Sequence, residues 1–466
     1  MTSNTKHANA FPTKRFFVDM LIKDIELHDA ILDLLDNCLD GAMRTAAKQS
    51  GRDPVRPYDG FSAWIEFDQN SFCITDNCGG LPIQLAESYA FRMGRADSDR
   101  DNDLATVGVY GIGMKRAVFK LGKNTEILSR TTDGGFSVTI TPDWLESDSN
   151  WELPINEQND VLEAVGTKIF VTQLRDGIPR VFSNETDFER TLKTAISSYY
   201  GFIIEKGFKV FVNNEEIQPF KVSIIADNFD SNEGITPYIY EGNIGGVDVH
   251  ITVGLYRELP NEEEEEAALI GRPSSERAGW TIVCNDRVIL YADKTRVTGW
   301  GEASVPQYHT QFISIAGLVE LRSNNASQLP LTTTKRGIDG NSELYLSIKD
   351  FMREGLKTFT DFTNKWKKSS KELHEINVQL SAIDPAIARA NVPANKWSRV
   401  AKGVGGQRYR PNLPLPKEDD PPRQIRFSRK VSEINEVATY LFDDTSTPVG
   451  DVGAKCFDDV LRKARK

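Results

Sequence analysis

Apolar residues between 24 and 48 recur at three- and four-residue steps: Ile25, Leu27, Ala30, Ile31, Leu34, Leu35, Leu39 and Ala42. That period is the signature of a helix with one buried face. Two short alternating runs, WIEFD (64–68) and FCITD (72–76), flank Gln69 and Asn70 and predict a hairpin. A second helix is expected from about Gly113, after VGVYGIG, to Leu121, and TEILSR, FSVTI and TKIFVTQL then return to strand. Helix, hairpin, loop, helix and strands in that order predict an α/β sandwich, with helices on one face of a mixed sheet.

Further along, KVFVN, VDVHITVGLY, GWTIVCNDRVILY and FISIAGLVELRS have the pattern of strands. They place a second mixed domain over 175–340, after a first domain over 1–174. The stretch 341–384 begins as a long, charged, proline-free amphipathic helix and is expected to form a helical arm. Its spacing is not heptad, so no coiled coil is expected. Residues 385–424 look like a basic Pro/Gly linker, and 425–466 like a small helical module for protein contacts. The class is therefore α+β.

Composition narrows the functional classes. A chain of 466 residues that is 39% hydrophobic and 26% charged fits a soluble protein of two or three domains. It has no apolar run near the ~18 residues of a membrane span. The first residues lack an apolar core, so no secretory leader is expected. Cys38, Cys73, Cys78, Cys284 and Cys456 are scattered, which points to a reducing, cytoplasmic setting rather than a disulfide framework. The net charge of −11 conceals an imbalance: residues 391–430 hold ten Lys/Arg against Glu418, Asp419 and Asp420. Trp397, Tyr409 and Phe427 lie among them. That mixture suits either contact with a nucleic-acid backbone or docking on the chain's own acidic body.

The candidate chemistry lies in the first domain. Asp33, Asn37 and Asp40 share one face of the first helix. An acid and an amide there could activate water and hold a hard cation through oxygen, although a lone Asp on such a helix is as readily a solvated charge. ITDNCGGLP (74–82) is a strand ending in Asp76 that turns through Gly79 and Gly80. This is either a plain β-turn or an acceptor for an exocyclic amine beside a backbone open to a flat ligand. VGVYGIGMKRAVFKLG (107–122) sets Gly108, Gly111 and Gly113 before a helix carrying Met114 and Lys115, a plausible anion site that is not a P-loop.

No one of these motifs is specific. In this order, and followed by VGTKIF (165–170), they resemble the GHKL superfamily of ATPases: gyrase-type topoisomerases, the heat-shock chaperone, sensor histidine kinases, MutL and the MORC proteins. The resemblance implies a Bergerat-type ATP-binding domain using ATP and Mg²⁺. Asp33 would be the general base and Asn37 the Mg²⁺ ligand, with Asp40 on the same face. Asp76 would accept from the adenine amino group, with Thr167 supporting it and Gly80 beside the ring. Gly108, Gly111, Gly113, Met114 and Lys115 would cradle the phosphates, and residues 83–107 would form a mobile lid. Two positions depart from the pattern. Asp33 stands where the family carries Glu, which shortens the base by one methylene and implies slow hydrolysis. Cys78 stands where the first turn glycine is expected, which shifts the turn onto Gly79 and Gly80.

A phosphoacceptor histidine upstream is missing, since only His7 precedes the first helix, so a kinase is not expected. GLVELRSNNASQLPLTTTKRGID (317–339) resembles the switch loop of an S5-like transducer domain, with Lys335, or failing it Arg336, reaching the terminal phosphate. The likeness is greatest to MORC-type and related bacterial ATPases. It implies an ATP-dependent homodimer that clamps DNA, in chromosome maintenance or in defence against foreign (viral) DNA. An ATP-sensing scaffold that recruits an effector and a chaperone-like ATPase are the competing readings. No membrane partner is expected.

Overall fold

A computed structural model describes residues 13–23, 25–92, 112–148, 150–183, 187–230, 234–260, 277–332, 337–367, 380–400, 404–416 and 424–465. The chain divides into two units, residues 1–416 and 417–466. In the first unit, two sheets each organise a hydrophobic core.

The first sheet contains β1 (Ser62–Phe67), β2 (Phe72–Asp76), β3 (Gly122–Arg130), β4 (Gly135–Ile140), β5 (Ile155–Glu157), β6 (Gly166–Leu174), β7 (Lys209–Val212) and β8 (Glu215–Glu216). Its spatial order is β5-β4-β3-β6-β2-β1-β7-β8, antiparallel except where β7 joins β1 in parallel. Against it pack α1 (Lys14–Lys23), α2 (Leu27–Lys48), α3 (Gly113–Leu121) and α4 (Phe188–Tyr199). α2 buries Ala30, Ile31, Leu34, Leu35, Leu39 and Ala42, the stripe that the sequence period marks out. α3 starts at Gly113 and ends at Leu121, as expected.

One boundary moves. KVFVN, expected in the second domain, forms β7, which with β8 completes the first sheet, and the first core runs from Val18 to Ile217. Strand partners carry no mark in a linear sequence, so a return to the first sheet after the helices Phe188–Tyr199 and Gly201–Glu205 could not be seen.

The second sheet runs β13-β12-β14-β11-β10-β17-β16. Its strands are β10 (Tyr238–Ile244), β11 (Val247–Leu255), β12 (Gly279–Cys284), β13 (Arg287–Asp293), β14 (Ile315–Arg322), β16 (Ser398–Arg399) and β17 (Gln407–Tyr409); β9 (Ile224–Ala226) and β15 (Ser381–Ile383) form a separate pair. GWTIVCNDRVILY is a hairpin rather than one strand. Asn285 and Asp286 take φ of 47° and 67°, the left-handed pair that a tight hairpin turn demands.

α5 (Glu343–Trp366) is capped by the Ser342 side chain, 3.2 Å from the Tyr345 N–H. It lies on the second sheet with Tyr345, Ile348, Phe351, Met352, Leu356, Phe359, Phe362 and Trp366 in the core, so its described part is a packed element rather than a projecting arm. Gly355 lets it come close, since a Cβ there would fall 2.2 Å from Val253.

The stretch expected as a linker is largely folded where it is described. Residues Pro385–Ala390 are helical, and β17 pairs with β10 and buries Tyr409. Arg408 and Arg410 both bond Glu354 of α5. In the second unit, α6 (Val431–Phe442) and α7 (Val449–Ala464) pack against each other. Among the described residues no helix is long and apolar enough to cross a membrane.

Candidate functional site

Helical geometry sets out the polar residues of α2. Successive side chains rotate by 100°, so Asp33, Asn37 and Asp40 project from one side, with Asp36 on its flank. Asp33, Asp36 and Asp40 are buried, and Asn37 is exposed between them. α3 begins directly opposite. A Cβ on Gly113 would sit 3.4 Å from Asp33 Oδ2, an ordinary contact distance, so the N-terminus of α3 lies against the carboxylate. Asp33 Oδ2 accepts a hydrogen bond from Arg116 Nη2 at 2.5 Å. The ion pair is almost wholly buried, and Arg116 Nε has no partner among the described residues.

Asp76 ends β2, opposite Thr167 on β6. The backbones approach so closely there that a Cβ on Gly166 would lie 1.9 Å from the Asp76 carbonyl oxygen, which explains a glycine immediately before Thr167. Asp76 Oδ1 accepts the Cys78 N–H at 2.8 Å. Burial nevertheless pushes its carboxyl up to about 6, with the Cys78 N–H and the Cys38 thiol pulling the other way. Burial, and then the Asp76 carboxylate, drive the Cys38 and Cys78 thiols well above their usual range, so both remain protonated.

The turn after Asp76 takes φ of 104° at Gly79 and 70° at Gly80, while Cys78 keeps an ordinary backbone. The shift of the turn onto the two glycines is therefore found. A Cβ on Gly80 would strike the Arg130 carbonyl at 2.0 Å. From α2, Thr45 Oγ1 donates to the Cys78 carbonyl at 2.9 Å and ties the turn to the helix. Thr167 Oγ1 lies 3.2 Å from Ser129 Oγ, and Ser129 Oγ in turn accepts the Leu81 N–H at 2.7 Å.

On α3, Met114 packs against the first core. Lys115 is buried, and its Nζ donates to the Ala90 carbonyl at 2.8 Å. Burial alone lowers its ammonium to about 8. Among the described residues its ammonium is given one acceptor, the Ala90 carbonyl, and a buried cation is stabilised further by an anion.

The structure thus brings Asp33, Asn37, Asp40, Gly113, Met114 and Lys115 together on two adjoining helices, and Asp76, Gly80 and Thr167 at one end of the sheet beside α2. Gly108, Gly111, Lys335, Arg336 and most of the expected lid (93–107) lie outside the described residues. The beginning of that lid, Ile83–Ala90, is helical.

Three groups escaped the sequence reading. Arg116 follows Lys115 directly, and only its position one turn into α3 brings it to Asp33. Ser129 is a small residue in a strand with no motif of its own. Asp36 had a usable signal, since a carboxylate set in DLLD among leucines must find a partner. That partner, Arg287, lies 251 residues away.

The ligand fit can be judged from these groups. An acceptor carboxylate in a dry strand end, an exposed amide oxygen on α2 and an anion-seeking lysine at the start of α3 suit a purine amine, a hard cation and a phosphate. Residues 25–167 match the family model described as histidine kinase-, DNA gyrase B- and HSP90-like ATPase. No curated protein matches the chain at a significant level.

Proposed function

We propose that this chain, whose residues 25–167 belong to the histidine kinase-, DNA gyrase B- and HSP90-like (GHKL) ATPase superfamily, is an ATP-operated switch that binds Mg-ATP and turns it over slowly. The observation that carries this reading is the placement of Asn37 on α2 between Asp76 at the end of β2 and Lys115 on the adjoining α3, with the Asp76 carboxyl at about 6 and the Lys115 ammonium at about 8, so that both are charged near neutral pH. Asp76 would accept the adenine amino group, with Thr167 and Ser129 buttressing the strand behind it and Gly80 leaving room for the ring. Asn37 would hold Mg²⁺ through its amide oxygen, with Asp40 one turn further on the same face. Gly108, Gly111, Gly113 and Met114 would shape the phosphate loop, with Lys115 supplying charge. Bound ATP supplies the anhydride to be cleaved, and Mg²⁺ offsets its phosphate charge.

Asp33 would be the group that accepts a proton from water. Its Oδ2 is engaged by Arg116 at 2.5 Å, and a carboxylate stabilised by a guanidinium is a weaker base through either oxygen. That contact supports slow turnover, and it equally favours the second reading, an ATP-sensing scaffold that recruits an effector. Lys335 from the second domain would add transition-state charge stabilisation, with Arg336 as the alternative. ATP-dependent homodimerisation is proposed by analogy with the superfamily. A DNA clamp draws less support. Of the basic residues in 391–430, Arg408 and Arg410 serve Glu354, and Lys396 serves the Phe229 carbonyl.

Calorimetric titration with Mg-ATP tests the binding site. Asn37→Ala is expected to weaken affinity by at least about tenfold, roughly 1.4 kcal/mol; unchanged affinity overturns the site. Asp33→Ala is expected to lower turnover by about a hundredfold or more while leaving nucleotide bound. Equal rates remove Asp33 from the role of base and leave the scaffold reading.

A further inference from the structure

The described cavities border Trp144, Lys193 and His250 and hold no arrangement that singles out a ligand. The observation that goes furthest lies on the flank of α2. Asp36, between Asp33 and Asn37, is only 1% exposed. Its Oδ1 accepts Arg287 Nε at 2.9 Å and lies 2.8 Å from the Tyr200 hydroxyl, which is also 2.9 Å from the Leu32 carbonyl. Arg287 opens β13 in the second domain and is itself 1% exposed. It gives Nη1 to the Val288 and Tyr199 carbonyls, and its guanidinium lies 4.0 Å from the Tyr200 ring centre. The turn beside it is pinned as well: Asp286 takes Lys206 Nζ at 2.5 Å and Arg322 Nη2 at 2.7 Å. Val283, Val288 and Leu318 pack on Tyr199 and Phe202 of the first domain.

We propose that Arg287 is a positioning residue for the nucleotide site: through Asp36 it fixes the rotation and height of α2, and so the placement of Asp33 and Asn37. Apolar contacts resist rotation of a helix weakly, because one leucine can replace another in the same hollow. A buried carboxylate with a single fitted cation is satisfied in one register only. A slip of one residue turns the helix by 100° and moves it about 1.5 Å, leaving two charges unpaired in a dry interior. The β12–β13 hairpin therefore docks correctly only when α2 stands in its working register. By linkage, whatever tightens α2 around nucleotide tightens the hairpin, and the reverse. The second domain thereby acquires a route to the site separate from the loop at Lys335. This inference rests on the ATP-binding reading above.

The test uses the full chain in three forms: wild type, Arg287→Lys, and the double variant Asp36→Leu/Arg287→Met, which replaces the ion pair by apolar groups so that neither charge is stranded. Each is followed by thermal melting, Mg-ATP titration and amide hydrogen exchange of residues 279–293 with and without Mg-ATP. In wild type, Mg-ATP is expected to slow exchange in the hairpin. The double variant is expected to melt as wild type does, to bind Mg-ATP about tenfold more weakly and to lose the slowing. Arg287→Lys keeps the charge without the fork and should recover part of both. A folded double variant with wild-type affinity and wild-type slowing reduces the pair to a structural contact and overturns the proposal. If the double variant does not fold, Arg287→Lys decides the question by the same two readouts. Wild type that binds Mg-ATP with no change in the hairpin overturns this inference alone, whereas wild type that binds none overturns the ATP reading beneath it.

Discussion

Burial moves the two ionisable groups of the proposed site toward each other, the Asp76 carboxyl up to about 6 and the Lys115 ammonium down to about 8. Between those limits Asp76 is ionised and Lys115 charged, the states that an adenine amine and a phosphate require. Adenine-nucleotide affinity should therefore peak between about pH 6 and 8. Asp76→Asn should remove the acid limb and Lys115→Met the alkaline limb in a titration series, and comparison with wild type cancels the nucleotide's own ionisation. Limbs that survive both substitutions would show that neither group faces the ligand. Stability follows the opposite sign. A carboxyl raised from 3.8 to about 6 penalises the fold progressively as pH rises across that interval, by on the order of 3 kcal/mol above it. Asp76→Asn keeps an oxygen for the Cys78 N–H and sheds the charge, while its amide N–H₂ meets the Thr167 N–H that the carboxylate accepts, which offsets part of the gain. The unliganded variant should melt roughly 2–6 °C higher at neutral pH, with a smaller gain at pH 5, while losing nucleotide affinity. Binding sites commonly hold this kind of local instability.

Among secondary elements, glycines show how tightly the site is assembled. Gly166→Ala places a methyl group 1.9 Å from the Asp76 carbonyl oxygen, at φ 156°, and must force β6 away from the end of β2. It is expected to cost about 2–4 kcal/mol and to weaken nucleotide binding together with stability, as chemical denaturation and titration would show. Gly177→Ala, at φ 88° with nothing within 4 Å, carries only backbone strain, about 1–2 kcal/mol, and should leave nucleotide affinity alone. Equal effects from the two would deny that strand approach positions Asp76. Elements of this kind were legible where chemistry is local. The 3.6-residue stripe of α2, the start of α3 at Gly113 and the Gly79–Gly80 turn all follow from neighbours in the chain. What stayed hidden depends on distant partners. The Asp33–Arg116 pair joins two helices 83 residues apart, and the Asn285–Asp286 turn divides a run whose two apolar halves are separated by only three polar residues. Asp36 alone advertised a missing partner, without naming it.

At the scale of the whole molecule, the return of the chain after α5 could not be inferred from composition. Pro, Gly and Arg between 385 and 424 predict a linker, yet β17 extends the second sheet because alternate residues of a three-residue strand, Gln407 and Tyr409, find places against Glu241 and the small core around Phe229. Trp366 Nε1 donates to the Pro414 carbonyl at 3.0 Å, so the chain is needed at least to that residue. Both large cores close with residues no later than Leu413. A chain ending at Pro416 is therefore expected to fold and to bind Mg-ATP within about twofold of the full length, a difference under roughly 0.5 kcal/mol. A chain ending at Asp384 is expected to be destabilised by about 3–5 kcal/mol, the usual cost of removing a buried aromatic, because the place of Tyr409 empties while Trp366 and Glu354 lose their partners. Indistinguishable melting of the two truncations would mean that β16 and β17 are not integral to the second sheet. The same reasoning decides how nucleic-acid contact should be tested. Deleting 391–430 would damage the fold and any DNA site together. Glutamine at the exposed Arg426, Arg429 and Lys430 removes charge without touching β17, so a loss of DNA affinity in that variant, with Mg-ATP binding retained, would trace to those basic residues themselves.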